Sequence, residues 1–282
     1  MKNKILSYIE LTRLNKPIGI YLLLWPALLG LILSSINTQL TFKNILIVIF
    51  GSIIVRSCGC VINDISDYRI DMLVKRTVNR PLANQSISIV EAWILFIILG
   101  IISLVLLFFT NPLTIKISIF FALLITLYPL SKRFIRAPQF ILGITFGSSC
   151  LIAYSLQSNE FTISLAILYI GIVAWIMSFD TYYALEDKED DLKININSTA
   201  ILWGKNAVIY SKLLQITFYT CLLIIGIINK FSYLFLIGLL VLILIFMHQS
   251  KLIKNKMYID AFKINNFVGM AAVIFFTLEI IL

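Results

Sequence analysis

The chain has 282 residues, of which 60% are hydrophobic and 13% charged, with a mean hydropathy of +0.97 and a formal net charge of +9. Apolar runs of about 20 residues are long enough to cross a bilayer as helices, which excludes a soluble globular domain, and their continuity excludes the alternating strands of an outer-membrane barrel. The positive charge falls in short loops between those runs, which speaks against nucleic acid as a partner and fits a protein embedded in a lipid bilayer.

Backbone groups in lipid must be satisfied within the segment, so the expected fold class is all-α, a polytopic bundle in one unit with no linker or low-complexity tract. Nine spans are expected, at about 17–36, 43–62, 89–109, 112–130, 138–157, 161–179, 206–228, 231–249 and 262–282. The N-terminal Met1-Lys2-Asn3-Lys4 has the charge of a signal peptide. No small-residue cleavage site follows, so the first span is expected to stay. Arg13 and Lys16-Pro17 precede it, either as a basic anchor or as part of a site. The second span carries Arg56 and runs into Asn63-Asp64-Ile65-Ser66-Asp67-Tyr68-Arg69-Ile70-Asp71. Pro112, Pro129 and Pro138 mark the boundaries of the fourth and fifth spans, and Tyr128, Lys132 and Arg133 stand between them. The sixth span runs into Asp180, Tyr182, Tyr183 and then Glu186-Asp187-Lys188-Glu189-Asp190-Asp191. Cys58, Cys60, Cys150 and Cys221 all sit in apolar runs without zinc-site spacing and are expected as small buried residues. The single histidine, His248, excludes a poly-His metal site.

Nine spans place nineteen of the 23 basic residues on the face that carries the N-terminus, and only Lys43, Lys116 and Lys230 on the other. Arg56 lies within a span. The positive-inside rule assigns the rich face to the cytoplasm.

Nine of the chain's 14 acidic residues belong to the two clusters after the second and sixth spans, and both clusters fall on that same basic face. Arg56, Asn63 and Asp67 are offset by 7 and 11 residues, and so are Asp180, Asp187 and Asp191. Those offsets keep side chains on one face of a helix, so each span is expected to continue past the bilayer with a polar stripe. A single cluster reads equally well as a solvated interfacial loop. Two with the same spacing on one side read as facing half-sites. Carboxylate and amide oxygens are hard ligands suited to Mg²⁺, which takes one or two carboxylates and accepts substrate phosphate oxygens. Arg and Lys nearby suit the same phosphates. Arg56 is a site candidate by its intramembrane position, or else snorkels to the interface.

The stretch from Gly59 to Asp71, followed by Val74-Lys75-Arg76-Thr77-Val78-Asn79-Arg80-Pro81-Leu82, resembles the first motif of the UbiA-type membrane prenyltransferases. Asp180 to Asp191, with Lys193 and Ser198-Thr199-Ala200, resembles the second. Tyr128-Pro129-Leu130-Ser131-Lys132-Arg133 and Arg13-Leu14-Asn15-Lys16-Pro17-Ile18-Gly19 are similar to its shorter signatures, and the 4-hydroxybenzoate polyprenyltransferase branch is the most similar. The resemblance implies nine helices around a central cavity open sideways to lipid. It implies Mg²⁺-dependent transfer of a prenyl chain from polyprenyl diphosphate to the carbon ortho to the hydroxyl of 4-hydroxybenzoate, in ubiquinone synthesis. It further implies that Asn63, Asp67, Asp187 and Asp191 hold metal and diphosphate, with Asp64 and Asp71 in support. Lys132, Arg133 and Arg56 would hold diphosphate oxygens, and Tyr128, with Tyr183, would lie near the allylic cation. Arg13 would take the aromatic carboxylate and Asp180 would activate the phenol. An Ile-, Lys- and Asn-rich composition suits an AT-rich bacterial genome, so a bacterial inner membrane is expected, with the mitochondrial inner membrane as the alternative. The alternatives are a family enzyme with a naphthoate or haem acceptor, and a cation-coupled transporter. The latter expects carboxylates at mid-membrane depth, where this chain has almost none.

Overall fold

A computed structural model of the chain describes residues 4–36, 38–72, 77–193 and 196–281; the side chains of 129–133 and 281 lie outside the described residues. Every regular element among the described residues is helical. In chain order these are α1 (Lys4–Leu11), α2 (Ile18–Ser34), α3 (Phe42–Asp71), α4 (Ile89–Leu107), α5 (Pro112–Phe134) and α6 (Pro138–Ser155). Then come α7 (Ile163–Lys193), α8 (Thr199–Leu202), a 3₁₀ turn (Gly204–Asn206), α9 (Ala207–Ile228), α10 (Tyr233–Lys254), α11 (Tyr258–Lys263) and α12 (Asn265–Ile281). A helix thus lies over each of the nine expected spans among the described residues. Six are long and apolar enough to cross a bilayer; α2 and the 112–128 part of α5 are apolar but shorter.

The helices over the second and sixth spans run on past the apolar runs, as the 7- and 11-residue offsets lead one to expect. α3 has 30 residues and α7 has 31. At 1.5 Å per residue each is about 45 Å long, against about 30 Å of hydrocarbon core. Hydropathy falls at the acidic clusters, but neither Gly nor Pro interrupts 61–72 or 172–193, so the backbone carries its hydrogen-bond ladder on into water. Sequence missed the short α1, α8 and α11. α1 is only 8 residues, below the length that hydropathy detects, and is held by Lys4 and Tyr8 on Glu91. Thr41 caps α3 and a Ser88–Glu91 capping box starts α4, satisfying amides that a helix start leaves open.

α7 runs through the middle of the bundle. Its Leu168, Ile172, Trp175 and Phe179 are buried with Phe218 of α9 and Phe276 of α12. The Trp175 ring stacks on Phe218 at 4.9 Å, and its indole N–H donates to Asn265 Oδ1 at 2.8 Å, so the one polar atom is paired. α2 and α6 meet at Gly30, where backbone lies against the Cys150 carbonyl. Cys60, Cys150 and Cys221 are buried and Cys58 is half-buried, all as free thiols. Outside, α4 exposes Ile94, Ile97, Ile98 and Ile101 and α10 exposes Leu236, Leu240 and Leu244. A belt of that kind needs lipid, not water, against it.

Candidate active site

The extended ends of α3 and α7 put the two acidic clusters against one cavity of about 170 Å³. Asn63, Asp67, Ile70 and Asp71 line it from α3, and Asp180, Tyr183, Ala184, Asp187, Asp190 and Asp191 from α7. Tyr128 of α5, Pro138 and Gln139 of α6, Thr77 and Arg80 of the α3–α4 connection, and Ile196–Ser198 before α8 complete the wall. The 7- and 11-residue offsets act here as the helical periodicity requires: successive turns of each helix present Asn63 and Asp67, or Asp180, Asp187 and Asp191, to the same space. Tyr128 lies within electrostatic reach of Asp180, Arg56 and Asp67, which joins the stripes at their membrane end.

An ion-pair network backs the α3 wall. Arg80 Nη1 donates to Asp71 Oδ2 at 2.8 Å and to Asp64 Oδ1 at 3.3 Å. Arg13 Nη2 reaches both Asp64 oxygens at 2.8 Å. Asp64 is 1% exposed and does not line the cavity. Burial works against the Arg80 charge, yet the Asp64 and Asp71 carboxylates outweigh it and hold the guanidinium above its ordinary pKa. Arg13 itself has φ of 60°, a left-handed conformation that costs an ordinary residue about 1–2 kcal/mol. The bidentate pair and a 2.7 Å bond to the Glu10 carbonyl hold it there. On the opposite wall, Gln139 Oε1 accepts from the Thr199 amide at 2.9 Å and Thr199 Oγ1 meets Thr181 Oγ1 at 2.7 Å, which fixes the 196–199 turn beside α7.

A model of the UbiA prenyltransferase family matches residues 23–270. The chain belongs to that family. It is 39% identical over 273 residues to the 4-hydroxybenzoate octaprenyltransferase of Saccharophagus degradans, covering 96% of this chain and 91% of that protein. It is 40% identical over 271 residues to the enzyme of the same name from Vesicomyosocius okutanii, covering 95% and 99%. Among solved structures, an apo UbiA homolog from Aeropyrum pernix K1 superposes with a TM-score of 0.81 at 20% identity, over 92% of this chain and 97% of that one. A UbiA homolog from Archaeoglobus fulgidus bound to GPP and Mg²⁺ gives 0.72 at 16% identity, over 96% and 99%. The all-helical fold read from composition is therefore the UbiA fold, and the protein is a multi-pass membrane protein.

Of the residues expected in a UbiA-type site, the cavity gathers Asn63, Asp67, Asp71, Tyr128, Asp180, Tyr183, Asp187 and Asp191. Arg13 and Asp64 stand behind it, paired to each other. Arg56 lies off its wall: the guanidinium sits 5.2 Å over the Phe146 ring and packs against the Gly19 backbone, and its Nε has no hydrogen-bond partner among the described residues. Lys132 and Arg133 have side chains outside the described residues, and Lys75 and Arg76 lie wholly outside them. Sequence reasoning gave no role to Arg80, Asn197 and Ser198, which it met only within the two motif stretches, and passed over Gln139. Arg80 carried a usable signal, since it closes a basic, polar run nine residues after Asp71. Gln139 carried none.

Among the described residues no three acidic, His or Cys side chains converge closely enough to hold an ion unaided. The donor chemistry still suits Mg²⁺, because Asn63 with Asp67 and Asp187 with Asp191 each offer hard oxygens to one cavity. Mg²⁺ commonly takes only one or two carboxylates and completes its shell with water and phosphate.

Proposed function

We propose that the chain transfers a polyprenyl group from polyprenyl diphosphate to the carbon ortho to the hydroxyl of 4-hydroxybenzoate, releasing diphosphate, as a step in ubiquinone synthesis. The observation that carries this reading is the convergence of two acidic helix ends, more than a hundred residues apart, on one cavity. The full-length relatives named above as 4-hydroxybenzoate octaprenyltransferases support the choice of acceptor.

In this reading Asn63, Asp67, Asp187 and Asp191 would hold Mg²⁺ with the diphosphate; the UbiA homolog from Archaeoglobus fulgidus is bound to GPP and Mg²⁺. Bound Mg²⁺ neutralises the diphosphate and so makes it a better leaving group. Arg80 and Asp71 keep that wall in place, and Lys132 and Arg133 add positive charge for the phosphates. The allylic carbon–oxygen bond breaks with its electron pair going to the diphosphate, a bond forms to the ring carbon, the ring proton passes to the released diphosphate as the ring rearomatises, and Asp180 returns the phenol proton. Asp180 orients and deprotonates the phenol, which raises the electron density of the ortho carbon. Tyr128 and Tyr183 offer ring faces to the allylic cation. The apolar body of the bundle keeps water from quenching it and leaves the isoprenoid tail in contact with lipid. Arg56, whose guanidinium lies over an aromatic face and whose Nε has no hydrogen-bond partner among the described residues, is available to a substrate anion at the membrane end. Arg13, engaged by Asp64, is assigned to the wall and not to the aromatic carboxylate. The site faces the cytoplasm, and the membrane is the bacterial inner membrane.

The test is a transfer assay with labelled polyprenyl diphosphates of several lengths and 4-hydroxybenzoate, 1,4-dihydroxy-2-naphthoate or haem b, with and without Mg²⁺. Product is expected with 4-hydroxybenzoate alone, and chelation should abolish it. Equal turnover of the naphthoate would move the chain to another acceptor.

A further inference from the structure

Gln139 stands at the first turn of α6, 94% buried yet on the cavity wall. Its Oε1 accepts the Thr199 backbone N–H at 2.9 Å. That bond settles the orientation of the amide, because only the oxygen can accept. The Nε2 group, with two N–H donors, is therefore turned away from Thr199. It has no hydrogen-bond partner among the described residues, neither Asp180 nor Asp187 nor Asp191. An amide donor held by a backbone bond and left unpaired beside a cavity is preorganised for an acceptor that arrives with a ligand. Pro138 immediately before it is at the helix start, where its fixed φ adds stiffness. A merely structural glutamine could serve Thr199 from outside the cavity; this one is placed where both its ends count.

We propose that Gln139 is a substrate-contacting residue whose Nε2 donates to an anionic oxygen of a bound substrate, either a diphosphate oxygen or the phenolate or carboxylate of the acceptor. The inference rests on the prenyl-transfer reading for the identity of those ligands, and on the geometry alone for the direction of the donor. It also explains why the 196–199 turn is tied to α6: the bond that fixes the turn is the bond that aims the donor.

The test is calorimetric binding of magnesium pyrophosphate and of 4-hydroxybenzoate to the full-length protein in detergent, alongside the transfer assay. Gln139→Glu keeps an oxygen for Thr199 and loses the donor; Gln139→Met loses both without adding charge. Both variants are expected to weaken one of the two ligands by about ten-fold, the usual scale for a hydrogen bond to a charged group. Weakening of pyrophosphate alone assigns the contact to phosphate, and of 4-hydroxybenzoate alone to the acceptor. The melting temperature of Gln139→Glu is expected to fall, because its carboxylate is buried on a cavity shared with Asp180, Asp187 and Asp191, so affinities are compared at a temperature where both variants are folded. Affinities of Gln139→Glu within two-fold of wild type for both ligands overturn the proposal, and so does weakening in Gln139→Glu that Gln139→Met does not share, which is charge repulsion. If the wild type transfers no prenyl group, the affinity loss still upholds the contact and only the transfer reading is retired.

Discussion

Asp67 and Asp187 line the cavity from opposite walls, while Asp64, three residues before Asp67, is turned away and sealed by two arginines. Chemically identical side chains thus have opposite consequences when removed. Asp67→Ala or Asp187→Ala is expected to cut transfer by at least about a hundred-fold, since the proposed metal site loses a ligand. Near-normal turnover in both variants would retire the two-cluster site. Arg80→Ala should behave differently. It takes the Arg80 cation from Asp71, 6% exposed, and leaves Asp64, 1% exposed, with Arg13, and breaking a buried pair typically costs about 3–5 kcal/mol. The expected readout is a clear fall in thermal stability that accompanies any loss of activity. Arg13→Ala should follow the same pattern, because its guanidinium is engaged by Asp64; a raised KM for 4-hydroxybenzoate at unchanged stability would restore it to the acceptor site. The acidic residues were legible from spacing alone. The division of Asp64 from Asp67 was not, because it depends on where two arginines from other segments arrive.

At the level of elements, hydropathy found the long helices in the right order, and the repeated offsets extended two of them past their apolar runs. Runs such as 89–107 are apolar all round and declare themselves. The last turns of α3 and α7 are polar, and only the absence of a helix breaker together with the repeated offsets announces them. Helix contacts are less legible still, as Gly30 shows. A Cβ built there would lie 2.1 Å from the Cys150 carbonyl oxygen, a backbone atom that cannot swing aside. Gly51, in α3, would meet nothing within 4 Å. Sequence gives the two glycines the same appearance, each inside an apolar run. Gly30→Ala is expected to push α2 from α6 and cost at least about 1–3 kcal/mol, the scale of overpacking. Gly51→Ala should be neutral or stabilising by up to about 1 kcal/mol through helix propensity. Thermal unfolding of the two variants in the same detergent decides the matter, and a Gly30→Ala protein as stable as wild type would mean that α2 and α6 are packed more loosely than described.

Over the whole molecule, lipid contact and chemistry are divided along the bundle axis. The apolar faces of α4 and α10 wrap the middle, and the cavity lies at the end where α3 finishes and α7 carries Asp187 to Asp191. Helix α7 is continuous, so the α6–α7 turn with exposed Glu160 lies at one end and exposed Glu189 at the other. The basic residues Lys188, Lys193 and Lys205 gather at the Glu189 end. Lys and Arg near span ends are generally retained on the cytoplasmic side, and the proposed cytoplasmic site takes α7 to cross in that direction. In that proposed orientation diphosphate released at this end would leave into the cytoplasm, without crossing lipid. Single-cysteine proteins carrying Glu189→Cys or Glu160→Cys, with the four native cysteines replaced, test this directly. A membrane-impermeant maleimide should label Glu189→Cys in inverted vesicles and Glu160→Cys in right-side-out vesicles. The opposite labelling would invert the protein and place the cavity outside the cytoplasm, and labelling of both positions from one side would mean that α7 does not cross.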